Sequence, residues 1–221
     1  MSWTEQPIHF IDFEGSAASG ILEYGVVTIQ HGEIVSARTR LCRPTGRVRS
    51  EDVAVHGIDP AAVAGRAPFS DEFALFAGLR ESGPLAAHFA GVENGLIKSV
   101  WPYPRAAPDF ARLGGRVLEW GPWIDTGRLY PQIYDGLASA NLEALVAAFG
   151  LQPALDKAAA KWCPPERVRY HAALYDALAG ALLLARLTRE AATSGVSTAW
   201  LLTKSTLDPE KRASLEQGEL F

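Results

Sequence analysis

Runs of apolar residues, broken by polar and turn-forming positions, predict short strands at the start of the chain. Ile8 to Ile11 is an apolar strand that leads into Asp12, and Ile21 to Ile29 is a second strand. His31-Gly32 predicts a tight turn into a third strand, from Glu33 to Leu41. The chain is therefore expected to open with an antiparallel meander.

Helical spacing dominates the rest of the chain. The predicted helical segments are Val53 to Ala64 (as short turns), Ser70 to Leu79, Val92 to Val100, Leu129 to Tyr134, Leu142 to Phe149 and His171 to Ala192. Leu85 to Ala87 and Trp123-Ile124 are predicted as short buried strands. Prolines and glycines make Trp101 to Gly121 a loop or irregular insertion. Strands that alternate with helices after a meander predict a layered α/β domain over residues 1–192. Residues 193–221 are expected to form a partly helical, flexible tail.

Composition and charge restrict the class of protein. Of the 221 residues, 48% are hydrophobic and 21% are charged, which argues against a mostly disordered chain. The net charge of −4 provides no global attraction to nucleic acid, so any such binding would depend on a local patch. The arginines that could form one are Arg38, Arg40, Arg43, Arg47 and Arg49. They could equally be a solvated strand edge and loop.

Neither secretion nor a membrane is indicated by the sequence. Cys42 and Cys163 do not make a disulfide framework or a zinc site. No basic segment followed by an apolar run marks the N-terminal residues. The longest apolar stretch, Ala177 to Ala185, is far shorter than the ~20 residues of a membrane span. We therefore expect a cytoplasmic protein with no membrane partner.

Two carboxylates close the first apolar strand. Because side chains alternate along a strand, Asp12 and Glu14 are predicted on one face, while Phe13 points into the core. Like charges held side by side repel each other, and a divalent cation removes that cost. Oxygen ligands suit Mg²⁺ or Mn²⁺. Taken alone, such a strand end is more often simply solvated.

A second polar group opens the apolar segment 171–192. We expect His171 on the loop just before the helix and Asp176 in its first turns, because five helical residues would rotate the two side chains onto different faces. A histidine that titrates near neutral pH is suited to act as a general base toward water. A capping histidine with a solvated aspartate is the alternative.

Together, the two segments resemble the first and third motifs of the DEDDh exonucleases, the DnaQ-like family that includes polymerase proofreading subunits and RNase T-type enzymes. Members carry Asp-x-Glu on the first strand and His-x-Ala-x-x-Asp before the last helix. Asp12-Phe13-Glu14 and the segment His171 to Asp176 fit both patterns. Three flanking segments are also similar to the family: Ile21 to Val27, Val55 to Ile58 and Trp123 to Thr126. The resemblance extends from about residue 7 to residue 190.

The resemblance implies an α/β, ribonuclease H-like, three-layer fold. Its central mixed five-stranded sheet, with the first three strands antiparallel, would be flanked by helices. The implied reaction is hydrolysis of phosphodiester bonds at the 3′ end of nucleic acid, with two Mg²⁺ or Mn²⁺ ions. Asp12 would bridge the ions, Glu14 and Asp176 would complete one, and Glu93 would reach an ion or its water. His171 would deprotonate the attacking water.

The second family motif, usually His-Asn-x-x-Phe-Asp, is altered in this chain. Here it is His88 to Glu93, so that a glutamate stands where aspartate is expected and Phe89 replaces the asparagine. Gly15 stands where many relatives have threonine. The residues implied to contact the terminal nucleotide are Phe13, Gly15 and His88.

Three functions remain open from the sequence. The first is a DNA exonuclease in repair or proofreading, for which single-stranded DNA is the favoured substrate. The second is an RNA 3′ exonuclease, since tolerance of the 2′-hydroxyl depends on pocket shape. The third is a catalytically decayed interaction module, which the changes at Gly15, Phe89 and Glu93 would motivate.

Two further segments could bind partners. Gln217, Leu220 and Phe221 resemble the glutamine-x-x-leucine-phenylalanine peptides that dock on bacterial sliding clamps, although such a tail could also fray or pack on its own domain. In the Trp101 to Gly121 insertion, aromatic residues interleave with arginines. They could stack bases, or they could pack as a small satellite cluster, which is the commoner arrangement.

Overall fold

Seven strands form two separate sheets in the computed structural model, which describes residues 3–112, 114–206, 210 and 212–213. The strands are β1 (Ile8–Ser16), β2 (Gly20–Gln30), β3 (Glu33–Leu41), β4 (Leu85–Ala87), β5 (Ala107–Pro108), β6 (Arg116–Val117) and β7 (Ile124–Asp125). Strands β5 and β6 pair only with each other. The other five form the central sheet in the order β3-β2-β1-β4-β7.

The central sheet is mixed, as predicted. Strands β1, β2 and β3 pair antiparallel, whereas β4 runs parallel to β1 and β7 runs parallel to β4. The turn between β2 and β3 has positive φ at both His31 (54°) and Gly32 (75°), which is the conformation of a tight hairpin turn. The parallel strands β1, β4 and β7 end at the same edge of the sheet, and the candidate site lies there.

Helices cover both faces of this sheet. They are α1 (Ser50–His56), α2 (Pro60–Val63), α3 (Phe73–Ser82), α4 (Gly91–Val100), α5 (Thr126–Ile133), α6 (Leu142–Ala148), α7 (Gln152–Trp162), α8 (Ala173–Leu187) and α9 (Thr198–Ser205). Helix α8 is almost wholly buried and packs across β1 and β2. The result is the three-layer α/β arrangement that the family resemblance implied.

Alternation along β1 divides the core into two apolar clusters. Ile8 and Phe10 pack in the larger cluster with residues of α8, such as Leu174. Ile11 and Phe13 point to the opposite face, into a second cluster rich in aromatic rings. Each strand residue thus contributes to one layer only, as the period of two requires.

Two predicted elements differ from those observed, and one observed helix was not predicted. The insertion 101–121 contains the short pair β5 and β6, although most of it is irregular, as predicted. The predicted helix 171–192 begins only at Ala173, because His171 adopts a left-handed backbone conformation, and it ends at Leu187. Helix α7 was not predicted, since its alanine-rich sequence lacks a strong stripe of large apolar residues. Alanine nevertheless has the highest helix propensity.

The predicted tail contributes a helix to the described part of the chain. Leu201 and Leu202 of α9 are buried in the larger core cluster, and the Ser205 hydroxyl accepts a hydrogen bond from the Asp125 N–H (2.8 Å). The division at residues 192/193 stays a prediction. Gln217, Leu220 and Phe221 lie outside the described residues. Within the residues described, no helix is long and apolar enough to cross a membrane.

Helix α8 lies unusually close to the sheet at Gly25, which pairs with Asp12 across β1 and β2. A Cβ atom at Gly25 would lie 2.2 Å from the carbonyl oxygen of Ala173 and 2.5 Å from the Leu174 nitrogen. Backbone atoms cannot rotate away as a side chain can. The absence of a side chain at Gly25 therefore sets the distance between the sheet and the start of α8.

We expect Gly25→Ala to lower the free energy of unfolding by about 1–3 kcal/mol, because the added methyl group must push α8 away from the sheet. Urea unfolding followed by circular dichroism measures the change. Gly78→Ala in α3 is the matched control, since a Cβ there meets nothing within 4 Å and alanine favours the helix. Equal stability of Gly25→Ala and the wild-type chain would contradict the close packing.

Candidate active site

The end of β1 presents its carboxylates to the α8 side of the sheet. Asp12 and Glu14 alternate with Phe13, and both are half-buried. The Phe13 ring is buried on the other face, 5.3 Å from the Phe69 ring and 5.6 Å from the Phe76 ring. Any contact of Phe13 with a substrate would therefore use its backbone and not its ring.

The start of α8 supplies two more polar side chains. His171 precedes the helix, is exposed and has a φ of 60°. Asp176 lies in the first turn and is buried, and its Oδ2 accepts a hydrogen bond from the His171 N–H (3.0 Å). This bond fixes the turn of the chain that carries His171, in the arrangement expected from the sequence.

Three of these residues converge on one point, and the other two lie beside it. Single ligand atoms of Glu14, His171 and Asp176 all lie within 4.8 Å of one another. Glu93 joins from α4, where it is buried and accepts a hydrogen bond from the Phe13 N–H. Asp12 interacts electrostatically with all three of the other carboxylates. All five residues predicted to be catalytic are therefore near neighbours at the sheet edge.

Burial and mutual repulsion make the carboxylates reluctant to ionise. Burial, followed by the charges of neighbouring carboxylates, raises the pKa of Glu14 to about 8. Burial first, and then the charge of Glu14, raises the pKa of Glu93 to about 8. The pKa of Asp176 rises to about 7, mainly through burial, and that of Asp12 rises well above its usual range for the same reason. A cation among them would favour their ionised forms.

Two buried carboxylate oxygens of the site have hydrogen-bonding capacity that the described residues leave unsatisfied and that a cation could fill. Oε2 of Glu93 and Oδ1 of Asp176 are buried, and neither has a hydrogen-bond partner among the described residues. A buried polar atom without a partner is costly. A hard divalent cation with oxygen ligands would satisfy both atoms, so the donor set fits Mg²⁺ or Mn²⁺.

A buried ion pair beside the cluster was not predicted. Arg167 and Glu23 lie almost fully out of solvent and form a two-pronged contact, in which Arg167 Nε lies 3.2 Å from Glu23 Oε1. Glu23 pairs with Glu14 across β1 and β2. No local sequence pattern links two residues so far apart in the chain, and only the fold brings them together.

The ion pair also holds the backbone around His171. Arg167 Nη2 donates to the His171 carbonyl oxygen (3.3 Å), and Glu23 Oε2 accepts from the Ala173 N–H (3.0 Å). Together with the bond to Asp176, these contacts surround a residue in a left-handed conformation that a non-glycine residue rarely adopts. We infer that Arg167 and Glu23 are positioning residues for His171.

His88 is tied into the protein through both ring nitrogens. Nε2 lies 2.8 Å from the Ala140 carbonyl oxygen, and Nδ1 lies 2.9 Å from the Thr126 hydroxyl. Since a carbonyl can only accept, Nε2 carries a proton. Burial lowers the pKa of His88 to about 4, so the ring is neutral. Its predicted contact with a nucleotide stays a prediction, and it would have to use ring carbons.

Gly15 follows an irregularity in the pairing of β1 with β2. Its φ is 135°, and a Cβ atom there would lie 2.2 Å from the Gly20 carbonyl oxygen. A threonine at this position would clash with the backbone, so this conformation requires glycine. The bulge turns the strand end beside the carboxylates.

In the arginine-rich segment, Arg38 and Arg40 contact Glu72, whereas Arg43, Arg47 and Arg49 are exposed. Arg40 forms an ion pair with Glu72 (2.5 Å), and Arg38 lies 3.8 Å from the same carboxylate. In the insertion, Trp101 stacks against Phe69 (4.7 Å) and Trp120 is fully buried. The aromatic residues of the insertion thus pack mainly as a cluster in the core.

Comparison with solved structures identifies the fold. Exonuclease X in complex with 5′ overhanging duplex DNA is 22% identical, with a TM-score of 0.64 over 88% of this chain and 99% of that one. The nuclease domain of 3′hExo, a DEDDh family member bound to rAMP, is 16% identical, with a TM-score of 0.62 over 90% and 98%. E. coli Exonuclease I with a dT13 oligonucleotide is 13% identical (TM-score 0.62), over 83% of this chain and 41% of that one.

The chain therefore has the fold of the DEDDh, DnaQ-like exonucleases, as its sequence motifs predicted. No family model and no curated protein sequence matches it. At this low identity the likeness shows a shared architecture, and a shared architecture does not by itself define an activity.

We expect Arg167→Met to lower the free energy of unfolding by about 3–5 kcal/mol, because the buried Glu23 carboxylate loses its partner. Urea unfolding measures the loss. The single variant Glu23→Leu should also be less stable than the wild-type chain. The double variant Glu23→Leu/Arg167→Met should lose less free energy of unfolding than the two single variants lose in sum.

The control for this pair is Arg189→Met, which breaks an exposed contact with Glu33 (3.7 Å) and should leave stability unchanged. Strict additivity of the Glu23 and Arg167 changes would show that the two side chains do not interact.

In the presence of a chelator, we expect stability to fall as the pH rises from about 5 to about 8. The folded-state pKa values of Glu14, Glu93 and Asp176 (about 8, 8 and 7) exceed those of the unfolded chain, so the folded state holds more protons in this window. Urea unfolding at several pH values measures the slope.

Glu93→Gln should show a smaller decrease with pH, since one of the titrating groups is lost. Glu119→Gln, which changes an exposed carboxylate, should keep the wild-type slope. A pH slope that Glu93→Gln leaves unaltered would rule out the raised pKa of Glu93.

Proposed function

We propose that this protein is a metal-dependent 3′→5′ exonuclease that hydrolyses phosphodiester bonds at the 3′ end of nucleic acid. The observation that carries the proposal is the convergence of four carboxylates and His171 at one edge of the sheet. Two of those carboxylates have buried oxygens without a partner among the described residues. A purely structural cluster of like charges would be destabilising without a ligand.

The proteins that share the fold support this chemistry. Exonuclease X and E. coli Exonuclease I were solved with DNA, and the 3′hExo nuclease domain was solved with an RNA mononucleotide. In this chain, Glu93 keeps a carboxylate in the second motif, which favours an active enzyme over a decayed interaction module.

The carboxylates would hold the cations. Asp12, Glu14, Glu93 and Asp176 are proposed to bind two Mg²⁺ or Mn²⁺ ions, which would stabilise the attacking and leaving oxygens of an in-line displacement. The buried, preformed positions of Glu93 and Asp176 mean that little reorganisation is needed when the substrate arrives.

His171 is proposed as the general base. His171 is exposed, it lies beside Glu14 and Asp176, and both its backbone N–H and its carbonyl oxygen are hydrogen-bonded. It can therefore take the proton of the attacking water and release it to solvent. The bulge at Gly15 and the backbone of Phe13 would lie under the terminal nucleotide, with His88 close by.

We take single-stranded DNA as the substrate, by analogy with the dT13 oligonucleotide of E. coli Exonuclease I, and RNA as the alternative, by analogy with the rAMP of 3′hExo. Removal of nucleotides from matched DNA and RNA oligomers, each labelled at the 5′ end, distinguishes them. The proposal also keeps two sequence-based predictions: a cytoplasmic location, and docking on a sliding clamp through Gln217, Leu220 and Phe221.

We expect His171→Gln to lower kcat on a labelled DNA oligomer by about 10²- to 10⁴-fold, since the general base is removed. Asp12→Asn should reduce activity to background, and a chelator should do the same to the wild-type enzyme. Gel analysis of the shortened products measures all three.

Arg189→Gln, which removes an exposed charge near the far end of α8, is the control and should keep wild-type activity. The proposed function would be wrong if the purified wild-type protein with Mg²⁺ or Mn²⁺ removed no nucleotides, or if Asp12→Asn removed them at the wild-type rate.

A further inference from the structure

An exposed aromatic residue in an unfavourable backbone conformation stands at the edge of the site. Phe89 follows β4 and has a φ of 59°, a left-handed conformation that is rare for bulky residues. The residue is 37% exposed, so apolar packing alone does not account for it. Strained backbone of this kind tends to occur where a binding site requires it.

A buried carboxylate holds this conformation in place. Asp125, at the end of β7, accepts hydrogen bonds from the N–H groups of Phe89 (2.9 Å), Ala90 (3.0 Å) and Arg128 (3.3 Å). The Asp125 side chain therefore links two turns of the chain. One contains Phe89, and the other is the first turn of α5, which contains Arg128. The position of Phe89 relative to Arg128 is thus preorganised.

The ring of Phe89 packs against the backbone of a glycine, Gly127. A Cβ atom at Gly127 would lie 2.7 Å from the Phe89 ring, so the glycine provides the space that the ring occupies. The His88 ring supports it edge-on, with the two centroids 4.7 Å apart. The exposed guanidinium of Arg128 lies 5.4 Å from the centre of the Phe89 ring.

This platform, defined by Phe89 and Arg128, lies beside the carboxylate cluster. Strands β1, β4 and β7 are parallel and end at one edge, which places Phe89 after β4 close to Asp12 at the end of β1. Phe89 also lies two residues before α4, whose first turn contains Glu93. A nucleic acid strand entering the carboxylate cluster would pass within reach of this edge.

We propose that the Phe89–Arg128 platform binds a nucleotide of the substrate strand, with the base against the Phe89 ring and a phosphate on the Arg128 guanidinium. The inference rests on the proposed function and identifies a subsite for it. An aromatic ring offers a surface on which any base can stack, and a guanidinium pairs with phosphate. Arg128 also supplies positive charge beside a cluster of carboxylates that repels the phosphate backbone.

Steady-state kinetics on single-stranded DNA oligomers tests the platform. We expect Phe89→Leu to raise KM by about 5-fold to about 150-fold, the range measured for loss of one base stack, while kcat changes far less. Phe89→Trp should restore the wild-type KM. Arg128→Gln should flatten the plot of log KM against log salt concentration by about 0.7, the value for one lost phosphate contact.

Oligomers with single abasic sites locate the stacked base. In the wild-type enzyme, removing the base at one position from the 3′ end should raise KM, and Phe89→Leu should be insensitive to that same change. Val35→Ala and Arg189→Gln are matched controls for an exposed apolar and an exposed basic side chain, and both lie away from this edge.

Thermal melting verifies that the variants fold. The salt dependence of KM in Arg128→Gln is a second readout, and it does not depend on packing at Phe89. Unchanged KM, salt slope and abasic profile in variants of an active enzyme would overturn the platform alone. A wild-type protein without exonuclease activity would overturn the proposed function and this inference with it.

Discussion

The repulsion among carboxylates crowded at the end of β1 is the constraint on which the rest of the structure depends. Asp12 and Glu14 lie on one face of the strand because of strand alternation, and Glu93 and Asp176 are brought against them by α4 and α8. Burial and mutual charge raise the pKa of all four. The repulsion in such a cluster is relieved by protonation of the carboxylates, and a bound cation would relieve it in their ionised form.

Several contacts of the fold serve to hold this cluster. The Phe13 N–H and the His171 N–H each donate to one of the carboxylates, and the close approach of α8 at Gly25 fixes the height of Asp176 above the sheet. The buried pair of Arg167 and Glu23 secures the chain on both sides of His171. The buried ion pair and the left-handed backbone of His171 both cost free energy of folding. Both also hold His171 in a preformed position beside the carboxylates.

The elements that depend on local pattern could be predicted from the sequence. The alternation of Asp12, Phe13 and Glu14, and the position of His171 just before the helix of Asp176, follow from the periods of strand and helix. What could not be predicted depends on contacts between distant segments. Neither the pairing of Arg167 with Glu23 nor the support of Phe89 by Asp125 leaves a signal in the local sequence.

The departures from the family pattern fall at positions with constrained backbone or within the carboxylate cluster itself. Gly15 occupies a backbone conformation that no other residue would adopt easily, and Phe89 stands at a similarly constrained position. Glu93 has one more methylene than aspartate, yet its carboxylate reaches the Phe13 N–H and the cluster. The geometry is therefore compatible with the proposed role of Glu93 in the second motif.

Calorimetric titration of the protein with Mn²⁺ at pH 7, in two buffers of different ionisation enthalpy, tests the central claim most directly. Because the carboxylates are partly protonated without a cation, binding should release protons, and the observed heat should differ between the buffers. Asp176→Asn should weaken binding and reduce the release. Absence of Mn²⁺ binding, or binding with the same heat in both buffers, would contradict the assignment of this cluster as a cation site formed by carboxylates with raised pKa values.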